Sequence, residues 1–348
     1  MSSSTDLEHA SPDRLGCKLS FAFSGKSVKN RFLKSSTSEC MASFSETDID
    51  RCGIPFAELV NLYRHWGKGS IGHIITGNIM INCAHLVCTA CGLRFDRFSG
   101  IALEAKRHGS LVIAQLCHPG RQTPLHLQAF PISTGDVGIR GGDFGTDFGK
   151  PRPATKISTV LLRNSLMPRH SYGGNMKNRM GLISEFRESI SERVAKDFIV
   201  GIKINAVEFQ ESTFGSEEAD QLSIELEQRC FDFVELSDGT YEDWTMHHRH
   251  IASHAKLYSK RMRQTRIYVT GGLRSIRGMV RALDGVDGIG LARPLCQESH
   301  LCSYLLSGRV TSASAIKINM DDFHLTSVAA LIQMSKACSL LIWVLSKM

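Results

Sequence analysis

The sequence predicts an α/β chain of the TIM (β/α)8-barrel type, incomplete or distorted around its fourth strand. Three observations lead there. Short β-branched, apolar runs recur along the chain, most of them separated by segments of helical period. Each run ends in Gly or polar residues, as strands do when they deliver side chains to the C-terminal face of such a barrel. The G-x-G-x-x-G turn that would open a doubly wound dinucleotide fold does not follow the first run.

In order, the runs are 31–33, 73–75, 111–114, 198–202, 231–234, 267–269 and 288–290. Between them, 56–69, 185–196, 216–230 and 274–285 place apolar residues at i, i+3, i+4 and i+7, the stripe of a crossover helix joining parallel strands. Seven strands with polar C-terminal ends leave one strand of the barrel missing or hidden.

With 42% hydrophobic and 22% charged residues, the chain can bury a full core. Its net charge of +7 is spread along the chain, which favours anionic small molecules over nucleic acid. Residues 1–18 are polar and read as a disordered tail without a secretory core. A cytoplasmic protein follows, with its 11 cysteines as free thiols. The apolar stretch 337–345 is too short for the roughly 20 residues of a membrane span and reads as a docking helix. Residues 19–334 are then one barrel, with 335–348 an apolar tail. Nothing in the pattern sets an oligomeric state.

Two clusters bear on metal binding. Cys83, His85, Cys88 and Cys91 include one zinc-like C-x-x-C, but no second ligand pair lies at a matching distance. His247, His248, His250 and His254 lack acidic or Cys companions and read as a solvated helix face. No metal is assigned.

Two places carry more specific chemistry. The strand 111–114 runs into AQLCHPGRQTP (114–124), a strand end rich in hydrogen-bonding groups and so a ligand site. IYVTGGLRS (267–275) and DGIGLARPL (287–295) each end a strand in glycines and open a helix. Neighbouring turns of this kind aim backbone N–H groups and the Arg293 guanidinium at one anion, as in the phosphate sites of strands seven and eight of such barrels.

The motifs KNRFLKSSTSE (29–39), GIPFAELVNLYRHWGKGSIGHIITGNIM (53–80), HGSLVIAQLCHPGRQ (108–122), FGKPRP (148–153), YGGNMKNR (172–179), FIVGIKINAVEFQE (198–211), FDFVELSDGTYE (231–242), YVTGGLR and GLARPL occur in this order. Together they resemble the FMN-dependent old yellow enzymes, or NADH:flavin oxidoreductases, from about Leu19 to Met334, and most closely a fungal branch serving specialised metabolism. The resemblance implies an FMN barrel that takes hydride from NADH or NADPH and reduces an activated alkene or related small-molecule acceptor. It places Gln115 at the polar edge of the flavin ring and Lys203 near N1 and O2. Ser36, Thr37 and Ser38 fall at the end of strand one, and Gly77 is the small residue after strand two. Gly271, Gly272, Leu273, Gly290, Ala292 and Arg293 fall in the phosphate cradle.

One departure matters for chemistry. The family's strand-four His pair and following Tyr, which hold an enone oxygen and protonate its carbon, have no counterpart in the short interval 154–171, where Val160 stands in the place of the Tyr. Three readings stay open: an active reductase drawing its donors from elsewhere, with His118 and Arg121 as candidates; a degenerate flavin barrel without enone reduction; or a natural protein carrying a stretch this sequence lacks. The β-branched run 157–162 is suited to fill the gap as a strand.

Overall fold

The computed structural model describes residues 11–82, 84–92, 95–133, 138–139, 147–153, 176–205, 216–237, 255, 258–318 and 322–345. Seven strands, β1 (Phe32–Lys34), β2 (His73–Met80), β3 (Leu111–Cys117), β4 (Gly201–Asn205), β5 (Phe233–Ser237), β6 (Arg266–Thr270) and β7 (Gly288–Leu291), form one parallel sheet. Its order is β3-β2-β1-β7-β6-β5-β4. The last strand pairs with the first, Ile289 opposite Phe32 and Gly290 opposite Leu33, which is how a barrel brings its ends together. Among the described residues the sheet is open between β3 and β4. That opening falls at the short interval 154–171, which, with the run 157–162, lies outside the described residues.

Three expectations are corrected. The fourth run does not form a strand over 198–202; β4 starts at Gly201, because the buried Asp232 carboxylate accepts the Val200 N–H at 2.9 Å, and Phe198 is exposed before it. The helix expected over 185–196 is α3 (Met176–Ser191). Within the expected tail, a helical turn at Asp13–Gly16 buries Leu15 completely, and Arg14 pairs with Asp284 at 2.8 Å.

The remaining helices cover the outside. On α1 (Ala57–Lys68), Leu59, Leu62, Tyr63 and Trp66 form the buried stripe, and Trp66 Nε1 donates to the Leu295 carbonyl at 2.9 Å. Next come α2 (Ser99–Lys106), too short to show a period, and α4 (Ser216–Gln228). The next helix, α5 (Ile276–Ala282), is capped by Ser275, whose Oγ accepts the Gly278 N–H. Two short helices, α6 (Arg293–Gln297) and α7 (Leu301–Leu306), precede α8 (Phe323–Leu345). Because α8 runs across 334–335, the apolar tail continues a helix whose Met334 is buried in the main core. No described helix is long and apolar enough to cross a membrane.

A hairpin, Leu19–Ser20 against Ser27–Val28, closes the N-terminal mouth of the barrel. It presses Phe21 onto a floor of Leu33, Ile75, Phe233 and Tyr268. His73 is fully buried in this floor, edge-on to the Tyr268 ring at 4.7 Å, and neither of its nitrogens has a hydrogen-bond partner. Burial pushes its pKa from 6.5 down to about 3. A depressed folded pKa contributes stability that is complete above pH 6.5 and is lost as pH falls from there toward 3. Urea midpoints measured down that range are expected to fall, and His73→Leu, of similar volume, is expected to flatten the profile. An equally steep profile in the variant would place the acid sensitivity elsewhere.

Candidate functional site

Side chains alternate along each strand, so the residues two positions beyond the floor line the barrel one layer higher, toward the strands' C-terminal ends. The layer is polar: Ser35, Gln115, Lys203, Glu235 and Thr270. Glu235 is fully buried at its centre. Its Oε1 accepts from Ser35 Oγ at 2.5 Å and Thr270 Oγ1 at 2.8 Å, and Lys203 Nζ stands 3.3 Å away. Lys203 Nζ also donates to Ser35 Oγ at 3.1 Å. Glu235 Oε2 is buried without a partner. Sequence reasoning missed Glu235, although a carboxylate within the apolar alternation FDFVELS is a readable signal.

Gln115 stands across the layer. Its Nε2 donates to Asn78 Oδ1 at 2.5 Å, Asn78 Nδ2 donates to Ser38 Oγ at 3.1 Å, and Gln115 Oε1 is buried without a partner. Gln115, Ser38 and the residue after Gly77 therefore meet in one hydrogen-bonded chain. Beneath it, Lys34 Nζ donates to Thr37 Oγ1 and Glu39 Oε1, both at 3.1 Å. The Gly77 N–H reaches the same Glu39 oxygen at 3.1 Å. A side chain at Gly77 would collide with that carboxylate, which explains the small residue. Ser36 is half-buried at the same rim.

The two glycine turns emerge side by side, because Thr270 pairs with Gly290. Gly272 has φ 60°, a left-handed turn open to glycine at no steric cost. Leu273 packs on the core, anchoring the first turn, while Ala292 precedes α6 and sets Arg293 at its first position. Burial lowers the Arg293 pKa, and the neighbouring Arg274 lowers it further. Burial lowers Arg274 as well, opposed by Glu298. The pair thus sets two guanidinium groups near one another beside the paired glycine turns. Sequence reasoning missed Arg274, the last residue of the GGLR motif.

The two catalytic candidates lie beyond β3. His118 is 1% exposed, accepts the Gly120 N–H on Nδ1 at 3.1 Å and lies against His85 with ring centres 4.7 Å apart. Burial and then His85 push its pKa down to about 4, so it is neutral at pH 7 with its proton on Nε2. Arg121 is half-buried in the 3-10 turn Gly120–Gln122. The sequence led to the expectation that every cysteine is a free thiol; instead, Cys88 is bonded to Cys91. Cys83 and the four histidines at 247–254 lie outside the described residues, among which no group of three or more His, Cys, Asp or Glu is arranged to hold a metal.

No family model matches the chain. It is 40% identical over 378 residues to the NADH-dependent flavin oxidoreductase nadA of Aspergillus parasiticus, covering 93% of this chain and 85% of that relative. This chain belongs to the old yellow enzyme family of flavin oxidoreductases. A second family relative, the NADH-dependent flavin oxidoreductase iliE of Hypocrea jecorina, is 24% identical over 78% of this chain and 83% of its own. Two solved structures show the family fold at 13% identity. One is the old yellow enzyme from Trypanosoma cruzi (TM-score 0.67, covering 87% of this chain and 94% of that one). The other is a 2-naphthoyl-CoA reductase with 2-naphthoyl-CoA (TM-score 0.72, 94% and 58%). The seven-stranded sheet is thus an old yellow enzyme barrel, open between β3 and β4 among the described residues, and the protein is an oxidoreductase.

Proposed function

We propose that the protein binds FMN on the polar layer and passes hydride from NADH or NADPH to an activated alkene, or a related acceptor, of a secondary metabolite. The observation that carries this reading is Gln115. A buried amide oxygen without a partner beside an amide N–H already engaged is costly unless a ligand donor meets it. The N3–H of a flavin ring is such a donor. The Arg274 and Arg293 pair fits the phosphate, and the names of the relatives, NADH-dependent flavin oxidoreductases, agree.

FMN bound there supplies two-electron hydride chemistry. Lys203, its ammonium held in place by Glu235, would supply a positive charge beside bound flavin that favours the reduced form. Ser36, Thr37 and Ser38, at the end of β1, would border the flavin, and the apolar hairpin floor would exclude water from the barrel below the polar layer. Arg121, half-buried beyond β3, is the donor we assign to the acceptor oxygen in place of the family His pair; His118 is buried against His85.

The test is the visible spectrum of the purified protein, followed by addition of FMN, NADH and cyclohexenone. Flavin absorbance, bleaching by NADH and reoxidation by the enone are expected. A preparation that stays colourless with FMN would overturn the reading. Gln115→Ala should weaken FMN binding by about tenfold, the worth of one net hydrogen bond of about 1.4 kcal/mol. Fluorescence titration checks it.

A further inference from the structure

Two loops on the C-terminal face bring three sulfurs together. Cys88 is bonded to Cys91 in the loop after β2, and Cys40, in the loop after β1, has its Sγ 3.4 Å from Cys88 Sγ. The loops are joined by a backbone hydrogen bond from Ala42 N–H to the Ala90 carbonyl at 3.1 Å, and the second loop returns to its own strand through Met80 N–H to the Gly92 carbonyl at 2.7 Å. Cys40 has φ 52°, an uncommon conformation for a residue with a side chain. Cys40 and Cys91 border a small cavity that Ser38, Gly77 and Asn78 also line.

We propose that Cys40, Cys88 and Cys91 form a thiol–disulfide exchange site for low-mass thiols and disulfides of the glutathione class, with Cys88 the shared sulfur. Accessibility sets the direction of attack. Cys91 is 6% exposed and Cys88 is half-buried, so an incoming thiolate meets Cys88 first. Its sulfur bonds to Cys88 Sγ, the Cys88–Cys91 bond breaks, and Cys91 leaves as a thiolate that takes a proton. A second external thiolate then attacks the outer sulfur of the mixed disulfide, releasing the low-mass disulfide and the Cys88 thiolate, which is protonated in turn. Two external thiols are oxidised to one disulfide, and the protein disulfide is reduced to two thiols.

Cys40 is the alternative partner. Burial and then Glu39 push its pKa up to about 11, which keeps it the reduced member of the three while Cys91 is bonded to Cys88. When Cys91 is not available, the 3.4 Å contact makes Cys40 the nearest resolving sulfur for a mixed disulfide at Cys88. The two pairings constrain different things. A Cys88–Cys91 bond ties one loop to itself, whereas a Cys40–Cys88 bond ties the β1 loop to the β2 loop, two residues from Ser38 and its hydrogen bond to Asn78.

The full chain without added flavin is equilibrated across a series of reduced-to-oxidised glutathione ratios, acid-quenched, alkylated and mapped by mass spectrometry. Cys88 and Cys91 are expected to pass together from alkylated to bonded across the series, with Cys40 alkylated throughout. In Cys91→Ser, oxidised glutathione should produce a Cys40–Cys88 crosslink; in Cys40→Ser with Cys91→Ser, Cys88 should keep its glutathione. Cys88 and Cys91 alkylated at every ratio in the wild type would overturn the proposal. So would a Cys91→Ser chain with native circular dichroism that never forms the crosslink. Loss of fold in that variant leaves the wild-type titration to decide.

Discussion

Glu39→Ala is expected to cost about 3–5 kcal/mol of stability, the price of leaving a buried ammonium without its carboxylate. The Lys34 side chain is 0% exposed and that of Glu39 is 7% exposed, so water cannot replace the lost oxygen. The same oxygen accepts the Tyr63 hydroxyl at 2.8 Å and the Gly77 N–H at 3.1 Å, so one substitution removes three hydrogen bonds. Contact with the Trp66 ring, 4.0 Å from Lys34 Nζ, offsets part of the loss. Removing both charges is a different matter. Lys34→Met with Glu39→Leu should recover much of the stability, because two desolvation costs vanish together. Urea denaturation of the single and double variants checks both values. A single-variant cost under about 1 kcal/mol would mean that the pair behaves as an exposed one. Because Lys34 also holds Thr37, the single variant should loosen the rim of the flavin site as well.

Arg293→Ala is expected to weaken FMN binding by at least about 30-fold, corresponding to roughly 2 kcal/mol or more for truncating one side of a charged, desolvated contact. The unliganded protein should not lose comparable stability. Burial and Arg274 both disfavour the Arg293 charge, so removing it relieves a repulsion that the phosphate would otherwise relieve. The comparison that isolates this effect is riboflavin, which lacks the phosphate. Its affinity should change far less than that of FMN. An equal loss for both ligands would show that the substitution disturbed the double turn rather than the phosphate contact, and no loss for either would place the phosphate elsewhere.

What could be read in one dimension was local. Polar residues at the end of an apolar run marked Gln115, and glycines between a strand and a helix marked 271–272 and 290, because turn chemistry depends on a few adjacent residues. The barrel class followed from the alternation of strand and helix periods. Lys203 and the rim at 36–38 came from the co-linear motifs that resemble the old yellow enzymes, and the 40% identical relative established that family. The boundary of β4 was misplaced because a side chain 32 residues away, Asp232, captures the Val200 N–H, and no window over 198–202 contains it.

The sequence by itself determined the order of strands and helices, the places where strands end in polar groups, and the shortness of 154–171. Only the tertiary structure decided which of those polar groups meet. Ser35 and Glu235 are 200 positions apart and share a hydrogen bond, Lys203 joins them from a third strand, Glu39 closes over Lys34 beneath Gly77, and Cys40 reaches Cys88 from another loop. The physical reason is range. Turn and helix signals arise from neighbours along the chain, whereas a buried charge can persist only where the fold carries its partner to it.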